Sequence, residues 1–79
     1  MKIPVIKKLV EEYSAEALEK AEADLAEEET PTIEIPGDDE GEKLTHAFAA
    51  LWIRQKMDDG EEFKTALRAY TQMVRGSIS

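Results

Sequence analysis

The sequence predicts an all-α fold, a compact bundle of four short helices, on three observations. Apolar residues recur at three- and four-residue spacing in four separate segments. Pro4, Pro31, Pro36 with Gly37, Gly60 and Gly76 fall where those segments begin or end. The single alternating stretch, Thr32 to Ile35, has no second strand to pair with, so no sheet is expected.

The first helix is expected over about 4–12, with Pro4 at its opening position, where a missing N–H costs nothing, and Ile6, Leu9, Val10 and Tyr13 as its apolar stripe. Ser14 can cap a second helix over about 15–28, with Glu16 in the first turn where the helix dipole favours negative charge. Its face of Leu18, Ala21 and Leu25 is narrow, so it should lie on the outside. Nothing between Glu12 and Ala15 is a strong breaker, so one bent helix is an alternative to two. Thr30-Pro31 ends the second helix, and residues 30–37 read as an extended connector with Ile33 and Ile35 tucked against the bundle. Asp38 or Asp39 caps a third helix, about 39–58. Asp58-Asp59-Gly60 breaks the pattern, and Asp59 with Glu62 has the spacing of a capping box for a fourth helix, about 60–75. The short turn makes the third and fourth helices an antiparallel hairpin. Phe63, Leu67, Tyr70 and Val74 form the fourth helix's stripe, and Ile78 can fold back as a latch.

The third helix organises the rest. At about 100° per residue, Leu44, Phe48, Leu51 and Trp52 fall on one side while Ala49, Ala50, Ile53 and Met57 fall on the other. A helix with two apolar faces must be covered twice, and a chain of 79 residues buries only about 60 to 65% of its unfolded surface. The expectation is therefore a homodimer, with Ala49, Ala50, Ile53, Met57 and Trp52 at the interface. The two alanines would let a second helix come close.

Length and composition give a single helical domain, 1–79, and exclude several classes. There are no cysteines and one histidine, which leaves no basis for a disulfide framework, a structural metal or a cofactor. The longest apolar run, Ala47 to Ile53, is far below the roughly 18 residues of a membrane span, and no leader peptide is visible at Met1 to Val10. Eighteen acidic residues against ten basic ones give a net charge of −8, which repels nucleic acid and anionic membranes. An acidic, cytoplasmic protein is expected.

Both ends of the chain carry a resemblance. Met1-Lys2-Ile3-Pro4-Val5-Ile6-Lys7-Lys8-Leu9, Lys64-Thr65-Ala66-Leu67 and Val74-Arg75-Gly76-Ser77-Ile78 resemble a small family of short, uncharacterised bacterial proteins carrying a domain of unknown function. The resemblance implies an all-helical cytoplasmic protein with no assigned activity, and it contributes no catalytic residue. The Glu42 to Trp52 run departs from the family, so His46 is not carried over as a family site.

Few residues point to chemistry. Glu42 and His46 lie one turn apart, a spacing that could hold half a metal site or orient an imidazole, but the other helices supply no histidine to complete it. With a two-fold axis near this face, two copies of His46 would meet and make association depend on pH. Glu27 to Glu42 holds eight acidic residues and no basic one, either a solvated connector or a dock for a basic protein partner. Lys64, Arg68 and Arg75 on the fourth helix either pair with acidic neighbours or bind an anion. No catalytic motif is present. The reading is a small homo-oligomeric interaction or regulatory module rather than an enzyme. The alternative is a small-molecule or anion-binding protein, or minor enzyme, with a polar pocket at Glu42, His46 and Arg68.

Overall fold

The computed structural model describes residues 2–76. Ile78, expected to act as a latch, lies outside the described residues. The first helix, α1 (Ile3–Glu12), begins one residue before Pro4, and the Lys2 carbonyl accepts from the Val5 and Ile6 amides at 3.1 and 3.2 Å. Pro4 thus occupies the first turn, where its missing donor removes no helical bond. Tyr13 (φ −126°, ψ 152°) and Ser14 (φ −77°, ψ 165°) are both extended, and the Ser14 hydroxyl accepts from the Ala17 amide at 3.2 Å. Two extended residues followed by a side-chain cap start a new helix rather than bend an old one. Hence α1 and α2 (Ala15–Ala26) are separate.

The end of α2 is closed by a left-handed turn. Glu28, at φ 61°, donates to the Leu25 carbonyl at 3.1 Å, and Glu29 donates to the Asp24 carbonyl at 2.8 Å. This pair of bonds satisfies carbonyls the helix itself leaves orphaned, and glycine is the residue that usually holds the left-handed position. The connector that follows is irregular, bent at Thr32 and Ile33 rather than extended throughout. Ile35 is buried and Ile33 packs partly against the core, as their spacing predicts. Gly37 lets the connector lie directly on the next helix, since a Cβ there would sit 2.7 Å from Lys43 Cγ and 2.9 Å from the Lys43 amide nitrogen.

The central helix, α3 (Glu40–Asp58), is capped by Asp39, whose Oδ1 accepts from the Glu42 amide at 2.7 Å. It ends in the same left-handed turn as α2, here with glycine in place. Gly60, at φ 103°, donates to the Met57 carbonyl and Glu61 to the Lys56 carbonyl, at 2.9 and 3.1 Å. Because residues 60 and 61 finish α3, the last helix, α4, runs Phe63–Gly76 instead of starting at 60, and Asp59 caps nothing in it. The capping-box spacing was overridden by the stronger requirement that α3 satisfy its final carbonyls.

Packing centres on α3, which contacts α1, α2 and α4. The α4 side is marked by Tyr70, whose ring lies 6.2 Å from Phe48 and 5.6 Å from Trp52. The opposite side carries Ala49, Ala50 and Ile53, all fully buried. Their short side chains admit α1 and α2, whose Ile6, Val10 and Leu18 are also fully buried. Contrary to its narrow stripe, α2 is therefore a packing partner of the central helix, burying Leu18, Ala21 and Leu25. Arg54 locks the arrangement: its Nη1 donates to the Val10 carbonyl of α1 at 2.9 Å, and its Nε lies 3.1 Å from Asp58 Oδ1. A guanidinium near the carbonyl end of α1 satisfies an orphan acceptor and complements the helix dipole. The Cα radius of gyration, 11.9 Å, matches the roughly 12 Å of a compact chain this long.

Candidate functional site

Among the described residues, His46 is the one buried residue classed as polar, fully buried on α3. Its Nδ1 lies 2.7 Å from the Pro36 carbonyl and its Nε2 accepts from the Lys2 amide at 3.1 Å. A carbonyl can only accept and an amide N–H can only donate, so the proton is on Nδ1. The ring thus staples the entry to α1 and the end of the connector onto the central helix, and both of its nitrogens are occupied. It is not available to a substrate, and it cannot meet a second copy across a two-fold axis. The expectation of paired His46 rings is corrected on that ground.

Glu42 is engaged locally. Its Oε1 accepts from the Asp38 amide at 2.9 Å while its own amide donates to Asp39, a reciprocal cap for α3. Arg68 is exposed on α4. The structure thus joins Glu42, His46 and Arg68 by no hydrogen bond or ion pair, and it gives the first two architectural jobs. Among the described residues, no three histidine or carboxylate groups converge to hold a metal ion. The ion pairs Lys20–Asp24 and Arg54–Asp58 each lie within one helix and do not tie α4 to the acidic connector.

The residues expected at an interface divide. Ala49, Ala50 and Ile53 are covered by the chain's own first two helices and leave no surface for a second chain. The premise that 79 residues could not cover α3 twice fails for this face, which α1 and α2 bury, while α4 covers the other face only in part. Met57 and Trp52 remain half-buried. Trp52 packs at a tilt of 58° against Tyr70 on one side and meets the Lys56 ammonium 5.3 Å from its ring centroid.

Apolar surface appears where α3 meets α4. Phe48 is 42% exposed and Met73 41% exposed, with Val74 close behind. Phe48 and Trp52 both contact Tyr70, and Met73 and Val74 follow Tyr70 on α4 by three and four residues, the spacing of one helical face; these residues are the α3–α4 ridge. Burial pushes the Tyr70 hydroxyl above the ordinary tyrosine value of 10.0. The sequence placed Phe48 on a core face and missed its exposure. A usable signal existed: the Leu44, Phe48, Leu51 and Trp52 face is wider than the single stripe of α4 that covers it.

What the fold and this surface define is an all-α protein of four short helices whose interior polar groups serve its own architecture. The chain belongs to DUF6952, a family of unknown function, whose family model matches residues 1–79. A family without an assigned activity is what the resemblance of the two chain ends implied. No curated protein and no solved structure gives a significant match. No helix among the described residues is long and apolar enough to cross a membrane.

Proposed function

We propose that this protein is a small interaction module that works by presenting a surface, and that it pairs with a second copy of itself along the α3–α4 ridge. The exposure of Phe48 beside the half-buried Trp52 carries this reading. Aromatic side chains in a patch with a polar rim are the usual anchors of protein interfaces. A helix ridge packing against its own symmetry mate needs no further element, since an isologous contact repeats the same residues on both sides. Catalysis finds less support, because Glu42 and His46 are committed to a cap and a staple. A cytoplasmic setting goes with this reading.

Light scattering on the purified chain tests it. The expected mass is twice 8.9 kDa at micromolar concentration, falling to the single-chain value in Phe48→Glu. A single-chain mass for the unsubstituted protein at the highest soluble concentration would overturn the proposal.

A further inference from the structure

A second concavity lies apart from the α3–α4 ridge and has a different chemistry. Between the end of α2 and the connector is a trough of about 350 Å³ whose floor is Leu25, Ile33 and Ile35. Its rim carries the carboxylates of Glu28, Glu29, Glu34 and Glu40 against one ammonium, Lys43. None of these four carboxylates is engaged by a basic side chain: the ion pairs of the described residues are Lys20–Asp24 and Arg54–Asp58. The connector wall adds an independent feature. The backbone N–H and C=O groups of Thr32, Ile33, Glu34 and Ile35 make no hydrogen bond to the rest of the described chain. Thr32 and Glu34 are exposed, so water pairs these groups in the free chain and an incoming main chain can take its place.

We infer that this trough is a docking site for a short basic peptide segment of another protein, with one apolar side chain on the Ile33–Ile35 floor and flanking lysines or arginines on the glutamate rim. Each part of the trough answers one part of such a segment. The apolar floor takes a single aliphatic or aromatic side chain, the rim takes ammonium or guanidinium groups, and the open connector backbone takes peptide N–H and C=O groups. A net charge of −8 steers cations towards the chain as a whole. The trough adds the local apolar contact that separates docking from general attraction. The inference rests on the reading of the protein as an interaction module, but it uses none of the ridge residues, so each can fail without the other.

The test uses a fluorescein-labelled peptide, Lys-Arg-Leu-Lys-Arg, titrated with the full chain and with Phe48→Glu by fluorescence anisotropy. Equal binding to both is expected, which separates the trough from dimerisation. Charge reversal at the rim, Glu29→Lys with Glu34→Lys, should weaken binding by about tenfold or more, whereas the same reversal on the exposed face of α2, Glu16→Lys with Glu19→Lys, should weaken it far less. Ile33→Ser should cost several-fold at unchanged charge, and a peptide with Ser in place of Leu should bind the unsubstituted chain as weakly. Circular dichroism confirms that each variant keeps its helices. Three outcomes would overturn the proposal: equal losses from the two charge-reversed pairs, indifference to Ile33→Ser, or competition by spermidine as effective as unlabelled peptide. The last would mark the trough as a general cation-attracting surface.

Discussion

At the scale of single residues, His46 shows how one side chain can join parts distant in sequence. Its two bonds reach Lys2, 44 positions away, and Pro36, ten positions away, from a ring with no exposure of its own. An apolar replacement would remove a donor and an acceptor together and leave the part-buried Pro36 carbonyl and Lys2 amide without their partner. His46→Leu is expected to lower stability by about 1 to 3 kcal/mol, the cost of stranding such groups near a core. Urea unfolding measures that loss. Amide exchange locates it: the Lys2 amide should lose its protection in the variant, and unchanged protection would dispose of the staple. The sequence showed His46 and Glu42 one turn apart and so invited a reading as a shared polar site. In the fold they point to different partners, because Glu42 answers the helix terminus and His46 answers the chain that crosses it.

At the scale of elements, α2 and α3 end in the same hydrogen-bonded turn with different residues at its left-handed position. Gly60 carries that conformation freely, whereas Glu28 pays a steric penalty for its Cβ. Glu28→Gly should therefore stabilise the protein by up to about 1 kcal/mol, the left-handed relief being partly offset by the greater freedom of glycine in the unfolded chain. Thermal melting would register the gain as a rise of a few degrees in Tm, and a fall would show that the Glu28 side chain has a stabilising role. The seam between α3 and α4 answers to pH at the alkaline end. Tyr70, packed on Phe48 and Trp52, keeps its proton more tightly folded than unfolded because burial disfavours the phenolate. That contribution is complete below about pH 10 and is lost as the pH rises through the unfolded value towards the folded one. The stability of the unsubstituted chain relative to Tyr70→Phe should be constant from pH 7 to 9 and fall above 10. A constant difference to pH 11 would mean that the hydroxyl is not desolvated in the folded state.

At the scale of the whole molecule, the decisive fact is that one chain buries one face of its central helix fully and the other only in part. Ile53, Ala49 and Ala50 vanish beneath α1 and α2, while α4 covers the opposite face incompletely and leaves Phe48 beside the half-buried Trp52. The residues that hold the fold and those of the proposed dimer contact are thereby different. This is why Phe48→Glu is a fair test of dimerisation: Phe48 lies outside the buried core, so the variant should remain helical while its mass halves. A charge at Ile53 would not discriminate, because it would unfold the chain whether or not a dimer exists.

The sequence by itself determined the all-α class, most of the helix ends, the Ser14 cap and the central place of the third helix, while the break between α1 and α2 and the choice of Asp39 over Asp38 as cap were left to the structure. What it determined rests on interactions within a few residues, namely apolar periodicity, capping side chains and the glycine that stops a helix. The start of α4 at Phe63 rather than 60 already exceeded that reach, since two local motifs claimed residues 60 and 61 and the end of α3 won. Only the tertiary structure decided which apolar face of α3 meets its own chain, that His46 is a staple, and that the connector and α2 enclose a trough. The physical reason is that periodicity marks a face as apolar without naming its cover. Here the cover came from residues up to 44 positions away in the chain.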